Sequence, residues 1–313
     1  MVLTKGECSM YMKNESLMNK ARRAKKLPNI GWAIVLTFII MDLGLSLGQI
    51  PFEIISFFSF ANTSIQNENL ITLLFELLSF FGISLLVYIR IVKIEERPFS
   101  SIGFCKEGWI KKYLTGFMVG AILTASEVVL LYSFGLISVE HSPSQPVGLS
   151  AIKYIIIILI GWIVQSSAEE IVTRGWLMNV LSAKYNRWVG LIVSSTYFGF
   201  MHVFNPNISY IAVINLVLAG FLFGLYVLKT NDLWGACGLH CAWNFFMGNI
   251  FGFEVSGASA SVGTLFDLNL VGNPSISGGK FGPEGGICET IIIIVAIIVI
   301  ICLDKKNFFK QYE

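Results

Sequence analysis

The sequence predicts an all-α fold: a polytopic membrane helix bundle of about eight transmembrane helices, with both termini in the cytoplasm. Three observations predict it. Of 313 residues, 55% are hydrophobic and only 13% are charged, against roughly a quarter charged in an ordinary soluble domain. Apolar runs of membrane-spanning length recur along the chain. The Lys and Arg residues fall almost wholly on one side of those runs. This composition excludes a soluble enzyme, a disordered chain and a nucleic-acid binder, and a net charge of +2 adds no basic signal.

Residues 1–28 form a polar tail with Lys5, Lys13, Lys20, Arg22, Arg23, Lys25 and Lys26. The first apolar run, about 30–50, ends at Pro51; it is too long for a signal-peptide core, so an uncleaved span is expected. Further runs follow at about 70–92, 113–138, 150–173, 188–204, 208–229, 232–252 and 286–303. With the N-terminus inside and the spans alternating, all but Lys153 and Lys280 of the 22 Lys and Arg residues fall on the cytoplasmic side, as the positive-inside rule requires.

The organisation expected from these runs has five parts. They are the tail 1–28; spans one to three over 29–149, with an interfacial segment at 93–112; a core of spans four to seven over 150–252; a Gly- and Ser-rich outer loop over 253–285; and a last span with a basic tail over 286–313. Six cysteines (Cys8, Cys105, Cys237, Cys241, Cys288 and Cys302) include no CxxC, and only Cys288 falls on the outer side, so no disulfide framework is expected. No internal repeat is visible.

Ionisable residues inside a span are costly, and each is a functional candidate by default. Asp42, Glu76 and Glu127 occur singly and read as structural. Span four differs. Gln165, Glu169 and Thr173 form one helical stripe, and Ser166, Glu170 and Arg174 form the next, because residues four apart share a face. Glu170 precedes Arg174 in the favourable order for an ion pair. That leaves Glu169 without a local partner, the condition in which a buried carboxylate suits general-base work.

Span five ends with Phe198 and His202 on one face, and span seven places His240 and Asn244 on one face. The chain has only three His, and the third, His141, falls in an outer loop. No HExxH and no GxSxG occurs. Glu169, His202 and His240 could hold Zn²⁺ with an open water position. Equally, Glu169 and His202 could hold and deprotonate a water without metal, while His240 and the Asn244 amide donate to a developing oxyanion. Both schemes hydrolyse an acyl bond within the membrane, and the residue types do not separate them.

Glu169-Glu170-x-x-x-Arg174, then Phe198-x-x-x-His202, then His240-x-x-x-Asn244, in that order on successive polar-bearing spans, resembles the CPBP family. That family comprises the type II CAAX prenyl proteases and the bacterial bacteriocin-processing or self-immunity membrane proteases. The resemblance covers roughly residues 150–250. It implies an intramembrane endopeptidase, metalloprotease-like in its usual label, in which Glu169 and His202 activate water. His240 and Asn244 would then stabilise the oxyanion, with Glu170, Arg174 and Phe198 in support. The metal-free scheme is favoured and no cofactor is called for; zinc held by Glu169, His202 and His240 is the alternative. The implied substrate is a peptide or lipidated protein tail, with membrane lipids as neighbours and no nucleic acid. The setting that fits best is a bacterial plasma membrane.

Two competing readings use the same residues: a non-catalytic immunity or scaffold protein of this fold, and an ion-coupled transporter with a Glu/His proton relay. One geometric expectation is demanding. Span four runs inward and puts Glu169 near its cytoplasmic end, yet His202 lies about 22 Å of helix rise into span five. The water-activation scheme requires the two side chains to approach closely enough to share a water.

Overall fold

The computed structural model describes residues 15–59, 65–141 and 143–303. All eight apolar runs are helical. After a short helix α1 (Leu17–Ala21), the long helices are α2 (Ile30–Ser59), α3 (Ile65–Ser79), α4 (Phe81–Ile89), α5 (Trp109–Ser133), α6 (Ile152–Glu170), α7 (Asn179–Lys184), α8 (Arg187–Met201), α9 (Tyr210–Thr230) and α10 (Trp234–Phe245). A four-residue helix, α11 (Pro274–Ser277), precedes the last one, α12 (Ile287–Leu303). The chain is a multi-pass membrane protein. Among the described residues, five helical stretches are long and apolar enough to cross a bilayer: Ile30–Ile55, Gln66–Ile94, Trp109–Ser133, Gly148–Lys184 and Tyr210–Thr230.

The other three runs are shorter helices. The 15-residue α8 spans about 22 Å at 1.5 Å per residue. The 12-residue α10 is extended by a π-helical turn, Phe246–Ile250, and the 17-residue α12 is apolar. Length is no handicap to α10, since every residue from Gly235 to Phe245 is buried within the bundle. Lipid-facing positions instead carry exposed apolar side chains: Phe38 and Leu43 on α2, Met118 and Ile122 on α5, Ile156 and Ile160 on α6. Such a belt is stable only where hydrocarbon replaces water.

Two expectations about span ends are corrected. The first span does not stop at Pro51, because α2 continues through it to Ser59. A proline removes one backbone donor but does not end a helix whose neighbours support it. Span four does not end near residue 173 either. A π-helical segment, Ile171–Met178, follows α6 without a break and runs into α7, giving a stretch of 37 residues.

Glycines set how closely the helices approach. A methyl on Gly116 would lie 1.8 Å from the Gly235 carbonyl oxygen, and one on Gly238 would lie 2.1 Å from that of Tyr113. Helices α5 and α10 therefore touch backbone to backbone, the small-residue packing expected in membranes.

The segments flanking the bundle are also folded in. Residues 93–112, expected at the interface, bury Glu95 and Arg97. Glu95 accepts from Arg97 Nε at 2.7 Å and from Trp176 Nε1 at 2.7 Å, which ties this segment to the π-helix. The Gly- and Ser-rich loop pairs its strand β2 (Leu268–Leu270) antiparallel with β1 (Ile137–Val139), Ile137 facing Leu270, and buries Phe253, Val255, Val262 and Phe281. The described cysteines are all free thiols. Residues 1–14 of the tail expected over 1–28, and residues 304–313 of the C-terminal tail, lie outside the described residues.

Candidate active site

The hairpin of α6, its π-helical continuation and α7 against α8 fixes the level of the candidate residues. The turn is capped by Asn186, whose side chain accepts from the Trp188 and Val189 N–H groups, satisfying free donors at the helix start. Asn186 lies 17 residues after Glu169 and 16 before His202. The two arms run antiparallel, with nearly equal lengths of chain between the turn and each residue. The expected 22 Å offset takes span four to end near residue 173, and the helix runs on past that point.

Glu170 is the hub of the site. Its Oε1 accepts from Arg174 Nη1 at 2.9 Å and pairs with His240 Nδ1 at 3.0 Å. Glu170 and Arg174 are fully buried, and a buried ion pair persists only with close geometry and further bonds. Arg174 obtains them in part, since its Nε and Nη2, like Glu170 Oε2, have no hydrogen-bond partner. Its Nη1 also meets Thr173 Oγ1 at 2.7 Å, and its guanidinium lies 4.3 Å from the Phe198 ring centre and 5.4 Å from that of Phe223. Gly220 leaves the space, since a Cβ there would come within 3.1 Å of Arg174 Nη2.

Glu169 faces the other way. Its Oε1 accepts from Gln165 Nε2 at 2.8 Å. Gln165 Oε1 in turn accepts from Asn244 Nδ2 at 3.0 Å and Ser166 Oγ at 3.0 Å. A relay of amides from α10 thus orients the carboxylate on α6. Glu169 Oε2 has no hydrogen-bond partner and lies 3.9 Å from His240 Nε2. The carboxylate that the spacing left without a partner keeps one oxygen open, facing an imidazole.

His202 caps the C-terminal end of α8, half-buried, with Nδ1 2.8 Å from the Phe198 carbonyl oxygen. Its ring lies tilted against Phe198 at 5.0 Å, and Phe198 also meets the His240 ring at 5.7 Å. Glu169, Glu170, Arg174, His240 and Asn244 therefore form one bonded cluster, and His202 adjoins it across a single aromatic ring. His240 Nδ1 is taken by Glu170 and His202 Nδ1 faces a backbone carbonyl, which leaves Nε2 of each ring as its outward nitrogen. Among the described residues no three His, Cys, Asp or Glu side chains are grouped to hold a metal.

The residues that make these contacts fall in a stretch of chain that matches a known family. Residues 151–246, just under a third of the chain, match the family model described as Type II CAAX prenyl endopeptidase Rce1-like. This segment resembles a Rce1-like core. It runs from the start of α6 to just past α10, and it contains all seven residues picked out from the motifs. No curated protein and no solved structure matches the chain. The Rce1-like family is a protease family.

Two residues of the Rce1-like core were not assigned to the site from sequence. Gln165 was visible as a stripe position four before Glu169. Phe223, which flanks Arg174 and lies 5.1 Å from the His240 ring, gave no signal, because an aromatic in an apolar run reads as packing.

Proposed function

We propose that the protein is an intramembrane endopeptidase that hydrolyses a peptide bond of a membrane-associated or lipidated peptide by attack of an activated water. The observation that carries this reading is the open Oε2 of a buried Glu169 facing His240 inside the Rce1-like core.

In this mechanism Glu169 Oε2 takes a proton from water as its oxygen bonds to the scissile carbonyl carbon. His202, on the half-exposed side of the cluster, holds that water. The carbonyl oxygen gains charge, and His240 donates to it from Nε2, its ring held by Glu170. The C–N bond then breaks, and Glu169 returns the proton to the leaving amine. Asn244 was expected as a second oxyanion donor; its amide is engaged by Gln165 and Ser166, so this reading gives it the orientation of Glu169. No step is routed through a metal.

The test is cleavage of quenched peptides, with and without a prenylated C-terminal CAAX sequence, by protein purified in detergent, with products sized by mass spectrometry. Cleavage of the prenylated peptides in preference to the others supports a lipidated-tail substrate. Failure to cleave any peptide, with His202→Ala cells keeping the wild-type phenotype, would replace this reading with a non-catalytic immunity or scaffold protein. Activity lost on chelation and restored by zinc alone would reassign Glu169 and the histidines to a metal.

A further inference from the structure

The bonded cluster fixes His240 and Asn244 relative to Glu169, but it does not reach the turn that carries His202. That turn is held from the folded loop outside the Rce1-like core. Ser256 is the meeting point. Its backbone oxygen accepts from Asn205 Nδ2 at 2.8 Å, three residues past His202. Its N–H and Oγ both donate to Glu284 Oε2, at 2.6 and 2.7 Å. The other carboxylate oxygen of Glu284, Oε1, accepts from Trp243 Nε1 at 3.2 Å. Trp243 stands on α10 immediately before Asn244 and three after His240, and it meets Phe223 at 6.0 Å.

Two features show that this chain of bonds is held against cost. Glu284 is a buried acidic side chain whose two oxygens are both engaged, which offsets the loss of water around a charge. Ser256 adopts φ +50, a left-handed conformation that disfavours residues with a Cβ, and backbone strain of this kind persists only where surrounding bonds over-determine it. Next to it, a Cβ on Gly257 would lie 2.2 Å from the Pro206 carbonyl oxygen, so the loop rests directly on the turn after His202. Asn215 on α9 donates to the Glu284 backbone oxygen at 2.8 Å, anchoring the carboxylate from a third helix.

We infer that Glu284 is a positioning residue which, through Ser256 and Trp243, sets the separation between the His202 turn and the His240 helix. The inference rests on the function proposed above for its catalytic consequence, but the linkage itself is testable without activity. The chain has only three histidines, and His141 lies away from this chain of bonds as an internal reference.

Two variants test it. Glu284→Gln keeps an acceptor for Trp243 but sets an amide NH₂ against the Ser256 N–H. Ser256→Gly removes the hydroxyl bond and relieves the φ, so its fold is retained. In ring-¹⁵N-histidine protein, Glu284→Gln is expected to move the His202 and His240 signals and leave His141 in place. Ser256→Gly should move His202 with an unchanged unfolding temperature. On a cleaved peptide, kcat should fall tenfold or more in Glu284→Gln, with KM within twofold. Unmoved His202 and His240 signals in Glu284→Gln would overturn the inference, as would a kcat loss matched by the fraction unfolded. If the wild type cleaves nothing and His202→Ala cells keep the wild-type phenotype, the function reading fails while the histidine signals still decide the linkage.

Discussion

Arg174 and Glu170 show how a buried charge pair is made tolerable and what depends on it. The guanidinium has a carboxylate at one edge and two aromatic faces against its plane. A lysine would keep the charge but present no plane to Phe198 or Phe223. Arg174→Lys should therefore unfold at lower temperature than wild type. Arg174→Ala, which leaves Glu170 buried without its cation, should cost about 3–5 kcal/mol; equal thermal unfolding of wild type and both variants would show that the pair contributes nothing. Gln165 makes a separate prediction. Because it orients Glu169 from Oε1, Gln165→Leu should lower kcat about tenfold or more, in line with misplacement of a general base, and leave KM nearly unchanged. A rise in KM alone would place Gln165 in substrate binding instead. The Glu170–Arg174 contact was legible in the sequence because four-residue spacing fixes a helix face whatever the tertiary fold. The contact of Glu170 with His240 was not, since it crosses from α6 to α10 and no local spacing encodes it.

Among the elements, the contact of α5 with α10 matters most to the site, because α10 carries His240, Trp243 and Asn244. Gly116, Gly120 and Gly238 let the two backbones meet. A methyl on Gly238 forces the helices apart, and overpacking of this kind costs about 1–3 kcal/mol or more. Gly238→Ala should lower both the unfolding temperature and the peptidase rate. Gly31→Ala, where the nearest atom would be 3.7 Å away, should change neither. Loss of stability in the control alone would contradict the packing argument. These glycines were invisible as contacts in the sequence, since a glycine in an apolar run does not say what it touches. The length of the fourth helix was misread for a related reason. Thr173, Arg174 and Gly175 look like a helix end, but Arg174 turns sideways to pair with Glu170 and Thr173 bonds the Glu169 carbonyl, and the chain passes through as a π-helix. π-Helical turns of this kind often mark functional sites, and this one begins directly after Glu170.

For the whole molecule, the site lies where two apolar clusters meet. One holds Trp162, Phe198, Phe223 and Trp243; the other holds Ala168, Ile171, Val172 and Trp176. Glu127 on α5 and Glu289 on the last helix are fully buried, and none of their carboxyl oxygens has a hydrogen-bond partner among the described residues. A buried carboxyl group without a partner costs stability, so Glu127→Gln should unfold no lower than wild type; a clear drop in unfolding temperature would mean that Glu127 makes a stabilising contact. Composition and run length made the membrane bundle legible, because bilayer thickness imposes its own period on the sequence. The folding of residues 253–286 onto the bundle was not legible, because its Gly and Ser content reads as loose loop, while its structure comes from a few buried side chains and from Glu284.

The account stands on Glu169 as the group that activates water. The most direct measurement is the rate of peptide cleavage by Glu169→Gln relative to wild type, both purified in the same detergent and shown to unfold at the same temperature. An amide keeps the hydrogen-bonding shape and takes no proton. The account predicts a loss of about 10²–10⁴-fold, the usual worth of a general base, with KM little changed. A Glu169→Gln enzyme that cleaves within tenfold of wild type would contradict it.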